Sequence, residues 1–367
     1  MSRASGEGRR GLRKLAGPLL LLGLLLAQPA AAAAYPIVIP YGRSWPISIV
    51  VDSSRGLAYV DGMSGINPPT GYTFGVINVT GHEVMKVLPL DEVPGVLALD
   101  ESSGNVYVAG NDSIQVFYGG NQSMGERIVV GHPIRSMAYD GSVSKDIFVS
   151  AGNQVYAVDI ALGRVVANAT VGNGANGLAL DPASGKLFVA EYPDSKVFVF
   201  DSQGLAPAGV INLPNCCAAQ MAVDSRTHTI VATTGTGFVD LINTQTDSFE
   251  NSVKVSPSSA NSTDLVTVDN GTGRVFVSSS PGGSILEIDG SNGAVVGEFR
   301  VSSQVAGLAV DSKTHEVFAT NYHQVTVFDG GRGRVLFIIL ALGAAAVVAV
   351  VVVAIVLVLR KPRRPGQ

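Results

Sequence analysis

The sequence is poor in charge, in aromatic side chains and in cysteine. Charged residues fill 15% of its 367 positions and aromatic residues 7%; tryptophan occurs once, at Trp45, and the only cysteines are the adjacent Cys216 and Cys217. Haem-attachment motifs, nucleophile elbows and glycine-rich phosphate loops are missing. None of the short motifs that announce haem redox, acyl transfer or phosphate-loop nucleotide chemistry is therefore present. Glycine, by contrast, is abundant at 43 residues. A chain of this length exceeds a typical single domain, but folds built of repeats absorb it without a domain break.

The net charge of −4 hides an asymmetry. Both ends are basic, with Arg3, Arg9, Arg10, Arg13 and Lys14 at the front and Arg360, Lys361, Arg363 and Arg364 at the back. Apart from those nine and Glu7, the chain holds 16 basic and 28 acidic residues, a charge of about −12. Such a middle repels phosphate backbones, which argues against a nucleic-acid partner and favours cationic ones.

The basic front, the apolar run Leu15–Ala27 and the alanine stretch Ala30–Ala34 follow the order of a secretory signal peptide, with cleavage expected near Ala34. Arg9-Arg10-Gly11-Leu12-Arg13-Lys14 loosely follows a twin-arginine export signal, although ordinary basic residues of a signal peptide account for it better. Left uncleaved, Leu15–Ala34 would just span a bilayer as a second anchor. Val335–Leu359 is 25 residues without a charge, more than the roughly 30 Å hydrocarbon core requires at 1.5 Å per residue, and reads as a transmembrane helix. The basic cluster that follows it is denser than Arg332 and Arg334 before it, so the C-terminus is expected in the cytoplasm and residues 35–334 outside. With no ionisable residue the span is an anchor, not a relay. The expected organisation is a signal peptide at 1–34, an ectodomain at 35–329, a linker at 330–334, the membrane helix at 335–359 and a basic tail at 360–367. The expected product is a single-pass plasma-membrane protein. Six N-x-[ST] sequons, at Asn78, Asn111, Asn121, Asn168, Asn261 and Asn270, exceed the roughly two or three expected by chance and fit a glycosylated surface.

Internal repetition decides the fold. Segments ending in Val50-Val51-Asp52, Ala98-Leu99-Asp100, Ala138-Tyr139-Asp140, Ala179-Leu180-Asp181, Ala222-Val223-Asp224, Thr267-Val268-Asp269 and Ala309-Val310-Asp311 are copies of one unit. Their aspartates are 48, 40, 41, 43, 45 and 42 residues apart, the period of a four-stranded propeller blade. An apolar strand closes on Asp, a turn leads to a second strand such as Lys186–Ala190, a loop to an alternating third such as Lys196–Asp201, and a turn to a fourth. The reading is all-β: a seven-bladed β-propeller, plus the C-terminal transmembrane helix. Four residues after each aspartate stand Gly56, Gly104, Ser144, Gly185, His228, Gly273 and His315, a turn position that calls for positive φ. His228 and His315 are thereby exposed turn residues rather than metal ligands, and the seven aspartates are turn caps rather than acids and bases. Asp269-Asn270-Gly271-Thr272-Gly273, superficially a calcium loop, is the sixth copy of that turn.

The last unit runs out at Val325–Asp329, its third strand. Tyr35–Gly42 precedes the first aspartate at nearly the distance at which Val171-Gly172 precedes Asp181, and is expected to supply the missing outer strand of blade seven. Its prolines are tolerable on an outermost strand. Val317-Phe318-Ala319-Thr320-Asn321 with Val325-Thr326-Val327-Phe328-Asp329, and Leu187-Phe188-Val189-Ala190 with Val197-Phe198-Val199-Phe200-Asp201, resemble YVTN-type β-propeller repeats over residues 35–329. WD signatures are absent. The resemblance implies the fold and leaves function open, since similar proteins serve as surface-layer, binding and occasionally cofactor-dependent modules.

In propellers the loops from strand four to the next strand one, and from strand two to strand three, share the face where ligands usually bind. Here that face is expected to display Arg43, Trp45, the insertion Asp61–Tyr72, His132, Glu191, Tyr192, Pro214–Gln220, Tyr322 and His323. Trp45 fits either a binding anchor or packing between blades seven and one. His132 and His323 read as polar loop residues, and no metal or cofactor is expected. Cys216 and Cys217 fit a bridge between neighbours, ahead of free thiols or interchain links. A similar adjacent pair lies beside the quinone in pyrroloquinoline quinone alcohol dehydrogenases, which are eight-bladed and tryptophan-rich, as this chain is not. The leading reading is a membrane-held binding or cell-envelope scaffold module whose partner is a surface or envelope protein or glycan. Its linker, reaching at most about 17 Å, suits lateral partners or envelope layers. The alternative is an extracytoplasmic metal-assisted hydrolase or quinone-dependent oxidoreductase, for which Glu191, Asp194, His132 and His323 are the only scattered candidates.

Overall fold

In the computed structural model the described residues are 37–40, 44–64, 70–142, 144–255, 262–280, 283–301, 303–321 and 324–330. They form seven four-stranded antiparallel sheets, each a blade of one propeller. Blade one is Ser44–Asp52, Leu57–Ser64, Gly71–Asn78 and Glu83–Leu90, in sequence order across the sheet, and blades two to six repeat that order. Blade seven is composite: Gly307–Val310, Glu316–Asn321 and Gln324–Asp329 are completed by Ile37–Pro40 at the outer edge, as the repeat register predicts. The first strands of successive blades touch one another, and the ring closes where Gly307–Val310 meets Ser44–Asp52. The expected membrane span lies outside the described residues, among which no helix is long and apolar enough to cross a membrane. The expected signal peptide lies outside them too.

The blades are held together by the hydrophobic effect, and the repeat tells which residue does it. Seven residues after the turn aspartate, or eight in blade three, stand Tyr59, Tyr107, Phe148, Phe188, Val231, Phe276 and Phe318, none more than 2% exposed. Each belongs to the cluster that joins its own blade to the next: Tyr59 packs with Val106 and Phe117 of blade two, and Phe318 with Ile49 and Val60 of blade one. Seven such clusters fill the seven seams. Burying one aromatic of this size contributes about 1.5–3 kcal/mol.

All seven turn aspartates are 0–6% exposed and accept turn amides. Asp52 takes Arg55 N at 3.0 Å, Asp100 takes Ser102 N at 3.0 Å, Asp140 takes Ser142 N at 2.9 Å and Asp181 takes Ala183 N at 3.1 Å. Asp224, Asp269 and Asp311 hold Arg226 N, Gly271 N and Lys313 N at 2.8–3.0 Å. Burial works against the charge of Asp52, but donors from Ser54 and Arg55 outweigh it and hold the carboxyl below its ordinary value.

Positive φ falls four residues after the aspartate in six blades, from 55° at His228 to 76° at Gly104. Blade three differs. Its turn is one residue longer, Asp140 bonding across to Asp146, so the left-handed residue is Lys145 at 62° and not Ser144. The two histidines are also not simply exposed. The left-handed backbone directs each ring to the preceding blade, where His315 Nδ1 lies 2.8 Å from Asp269 Oδ2 and His228 Nδ1 lies 3.7 Å from Asp181 Oδ2. Arg55 reaches the other way, donating to the carbonyls of Glu101 and Ser102 at 2.7 and 3.0 Å.

A second polar position lies nine residues after the aspartate, on strand two. Most first strands carry a bulge, which turns one amide out of the ladder. That amide is recovered from strand two: Gln220 N donates to Thr233 Oγ1 at 3.1 Å, Leu265 N to Ser278 Oγ at 3.0 Å, and Ser48 N to Asp61 Oδ1 at 2.7 Å. The hydroxyls also donate into the next blade, Thr233 to the carbonyl of Asp264 at 3.3 Å and Thr320 to that of Ile47 at 2.9 Å. Asp61 is the acid in this series, wholly buried with Oδ2 unpartnered among the described residues. Burial, only partly opposed by the Ser48 amide, raises its pKa from 3.8 to about 8. At neutral pH it is a neutral acid doing the work of a threonine.

Between pH 4 and 8 the unfolded chain ionises Asp61 while the folded chain does not, so stability falls as pH rises, by about 1.4 kcal/mol per unit. Asp61→Thr should remove that decline. Thermal melts from pH 4 to 9 should show the variant gaining on the wild type as pH rises, with the two converging in acid; parallel profiles would refute the assignment.

Candidate functional site

The loops between strands two and three, and those between blades, form one face. On it the residues expected to bind ligand do not stand together. Trp45 pairs with Met63 in blade one and is half-buried, with its carbonyl against Gly62. Of the expected insertion Asp61–Tyr72, residues 61–64 and 71–72 belong to strands two and three of blade one, which run on to Ser64 and start at Gly71, and residues 65–69 lie outside the described residues. His132 is exposed on the loop before blade three, its ring stacked on Tyr156 at 5.4 Å and 20°. Arg43, Tyr322 and His323 lie outside the described residues.

Glu191, Tyr192 and the cysteines are brought together, on blades four and five. Glu191 is not displayed: it is 1% exposed, and Oε1 accepts Asn173 N at 2.7 Å against the Gly172 backbone. It ends strand two, ten residues after its turn aspartate, where the side chain points into the neighbouring loop instead of outward. Asn321 and Thr234 hold the corresponding buried positions. Lys196 Nζ stands 3.7 Å from Glu191 Oε2. The effect is to pin the loop 172–174 to blade four, and Asn173 Nδ2 donates to Asp194 Oδ2 at 2.6 Å. Tyr192 N donates to the Gly174 carbonyl at 2.9 Å, and the ring that follows is 49% exposed. Pro193 joins it through a cis peptide.

The cysteine loop is fixed from both sides. Leu213 N donates to the Ser195 carbonyl of blade four at 2.8 Å. Asn215 Nδ2 donates to Asp240 Oδ1 at 2.7 Å and to Ser252 Oγ at 2.6 Å in blade five. Burial raises the Asp240 pKa, against hydrogen bonds from Ser252 and Asn215 that lower it. Cys216 and Cys217 are joined by a disulfide, half-buried, with Cys217 at φ 69° and Cys216 Sγ 3.7 Å from the Pro193 carbonyl. Tyr192, Pro193, Asp194, Asn173 and the disulfide thus form a continuous rim over blades four and five. Sequence reading places Tyr192 and the loop Pro214–Gln220, with Asn215 and the cysteines, on this face; it misses Asn173 and Asp240, and the hydrogen bond by which Asn215 anchors the loop.

No family model matches this chain, and no curated protein matches it. The likeness to YVTN-type repeats rests on the repeat residues alone. Among the described residues no three of His, Cys, Asp and Glu converge as metal ligands. Of the sequons, Asn111, Asn121, Asn168 and Asn270 are exposed, Asn78 is half-buried with Oδ1 accepting Gly81 N at 2.9 Å, and Asn261 lies outside the described residues.

Asn215→Ala should cost about 1–3 kcal/mol in denaturant-unfolding free energy, because it strips donors from a buried carboxylate. Adding Asp240→Ala should cost less than the sum of the two single changes, since the pair acts as a unit. Strict additivity would show that the loop is not anchored there.

Proposed function

We propose that the chain is a membrane-anchored, cell-surface propeller of the YVTN-repeat kind, acting as a binding or envelope-scaffold module for a surface protein or glycan. The observation that carries this reading is the rim over blades four and five. Three loops distant in sequence are immobilised by buried side chains, while the atoms left in solvent are an aromatic ring, a proline, a disulfide and two polar groups. Rigid display of an aromatic anchor lowers the ordering cost of association, which is what a recognition surface requires. Export, anchoring at residues 335–359 and glycosylation are supported by the sequence patterns at the two ends and by the exposed sequons at Asn111, Asn121, Asn168 and Asn270.

Full-length protein in detergent is presented with envelope protein and glycan fractions from its own cells. Tyr192→Ala and Asp194→Ala should each weaken retention about tenfold, or ~1.4 kcal/mol. Gln203→Ala, on the opposite face, should leave it unchanged. Retention indifferent to both rim variants, or stoichiometric quinone or metal with turnover in the purified protein, would overturn the proposal.

A further inference from the structure

The described chain ends at Gly330 on the aspartate-turn face. The amide of Gly330 donates to the His315 carbonyl at 2.9 Å, in the turn after Asp311. The strand before it, Gln324–Asp329, runs away from the loop face, pairing Gln324 with Asn321 at one end and Asp329 with Glu316 at the other. Residues 331–334 alone separate Gly330 from Val335, a reach of about 17 Å when fully extended. The loop face lies a strand further off, and six strand residues rise about 20 Å. So short a linker cannot bring an anchor round the rim to the loop face. The other end agrees: three residues connect Pro40 to Ser44, which pairs with Ser64 on the loop face, so Ile37 begins its strand at the aspartate-turn face.

We infer that the aspartate-turn face is the bilayer-proximal surface of the propeller, set against the lipid headgroups, and that the loop face with Tyr192 and the disulfide is turned away from the membrane. This rests on the membrane anchor proposed above. Charge does not set the orientation. Arg55, Lys145, Arg226 and Lys313 occupy alternate turns of this face, but Asp159, Asp201 and Asp289 in the turns after strand three offset them. The length of the chain and the place where it leaves the fold decide it. A partner of the loop face then approaches from outside or from a facing layer, not as a lateral neighbour in the same membrane or as a lipid headgroup.

Full-length chain made without glycosylation, because Asn121 and Asn270 open on the same face, is reconstituted into phosphatidylcholine vesicles carrying a nitroxide on a fraction of the headgroups. A fluorophore is placed by Thr80→Cys on the aspartate-turn face or Thr70→Cys on the loop face, both exposed and both on blade one, which adjoins blade seven. Quenching should be roughly threefold or more greater at position 80, because contact quenching is lost over the ~20 Å between faces. Equal quenching, or stronger quenching at position 70, in a chain that resists alkaline extraction would overturn the orientation alone. A chain that washes off the vesicles would overturn the anchor and the orientation with it.

Discussion

Seven first strands packed around one axis leave little water near their backbones, so every amide that leaves a sheet ladder there must be met by a side chain. The rest of the structure follows from that constraint. Where a first strand ends, the turn amides are met by the buried aspartate. Where it bulges, the freed amide is met by the polar residue nine positions after that aspartate, as with Gln220 and Thr233. The same hydroxyls and the aromatic residue two positions earlier reach into the next blade, so local satisfaction of the backbone and closure of the ring are achieved by the same short stretch of strand two.

How legible this was depends on how uniform each position is. The turn aspartate is chemically identical in seven copies, and its period gives the blade count and the place of Ile37–Pro40 as the last strand. The bulge-clamping position holds Asp61, Ala109, Ser150, Ala190, Thr233, Ser278 and Thr320, which look unrelated until the bulges are seen. What Asp61, Thr233 and Ser278 share is an oxygen at the right height above strand one, and composition does not show height. Blade four, with Ala190, has no oxygen to offer, and the amide next along its first strand, Leu178 N, is met from blade three by Ser136 Oγ at 3.2 Å.

The candidate site was half legible for the same reason. Loop membership follows from the repeat, so Tyr192 and the cysteines could be assigned to one face. Side-chain direction at the end of a strand does not, and Glu191, placed on that face by its position, is spent on the backbone of residue 173. His228 and His315 show the reverse: the turn position was readable, the contact across a seam was not. Asn215 and Asp240 are 25 residues apart and carry no motif, so only the fold relates them.

Departures from the repeat are therefore more informative than the repeat itself. A position that only has to close a blade tolerates any residue that meets the backbone, and blades one, five and six meet it in the ordinary way. Blade four does not, and blade five departs from the repeat at its entry loop. Blade four has lost its clamp at Ala190 and has gained a buried acid at Glu191. Blade five begins with the disulfide and a left-handed Cys217. Each of these leads to the same rim. Closing a seven-bladed ring does not call for that concentration, whereas the rigid recognition surface proposed for these two adjacent blades does.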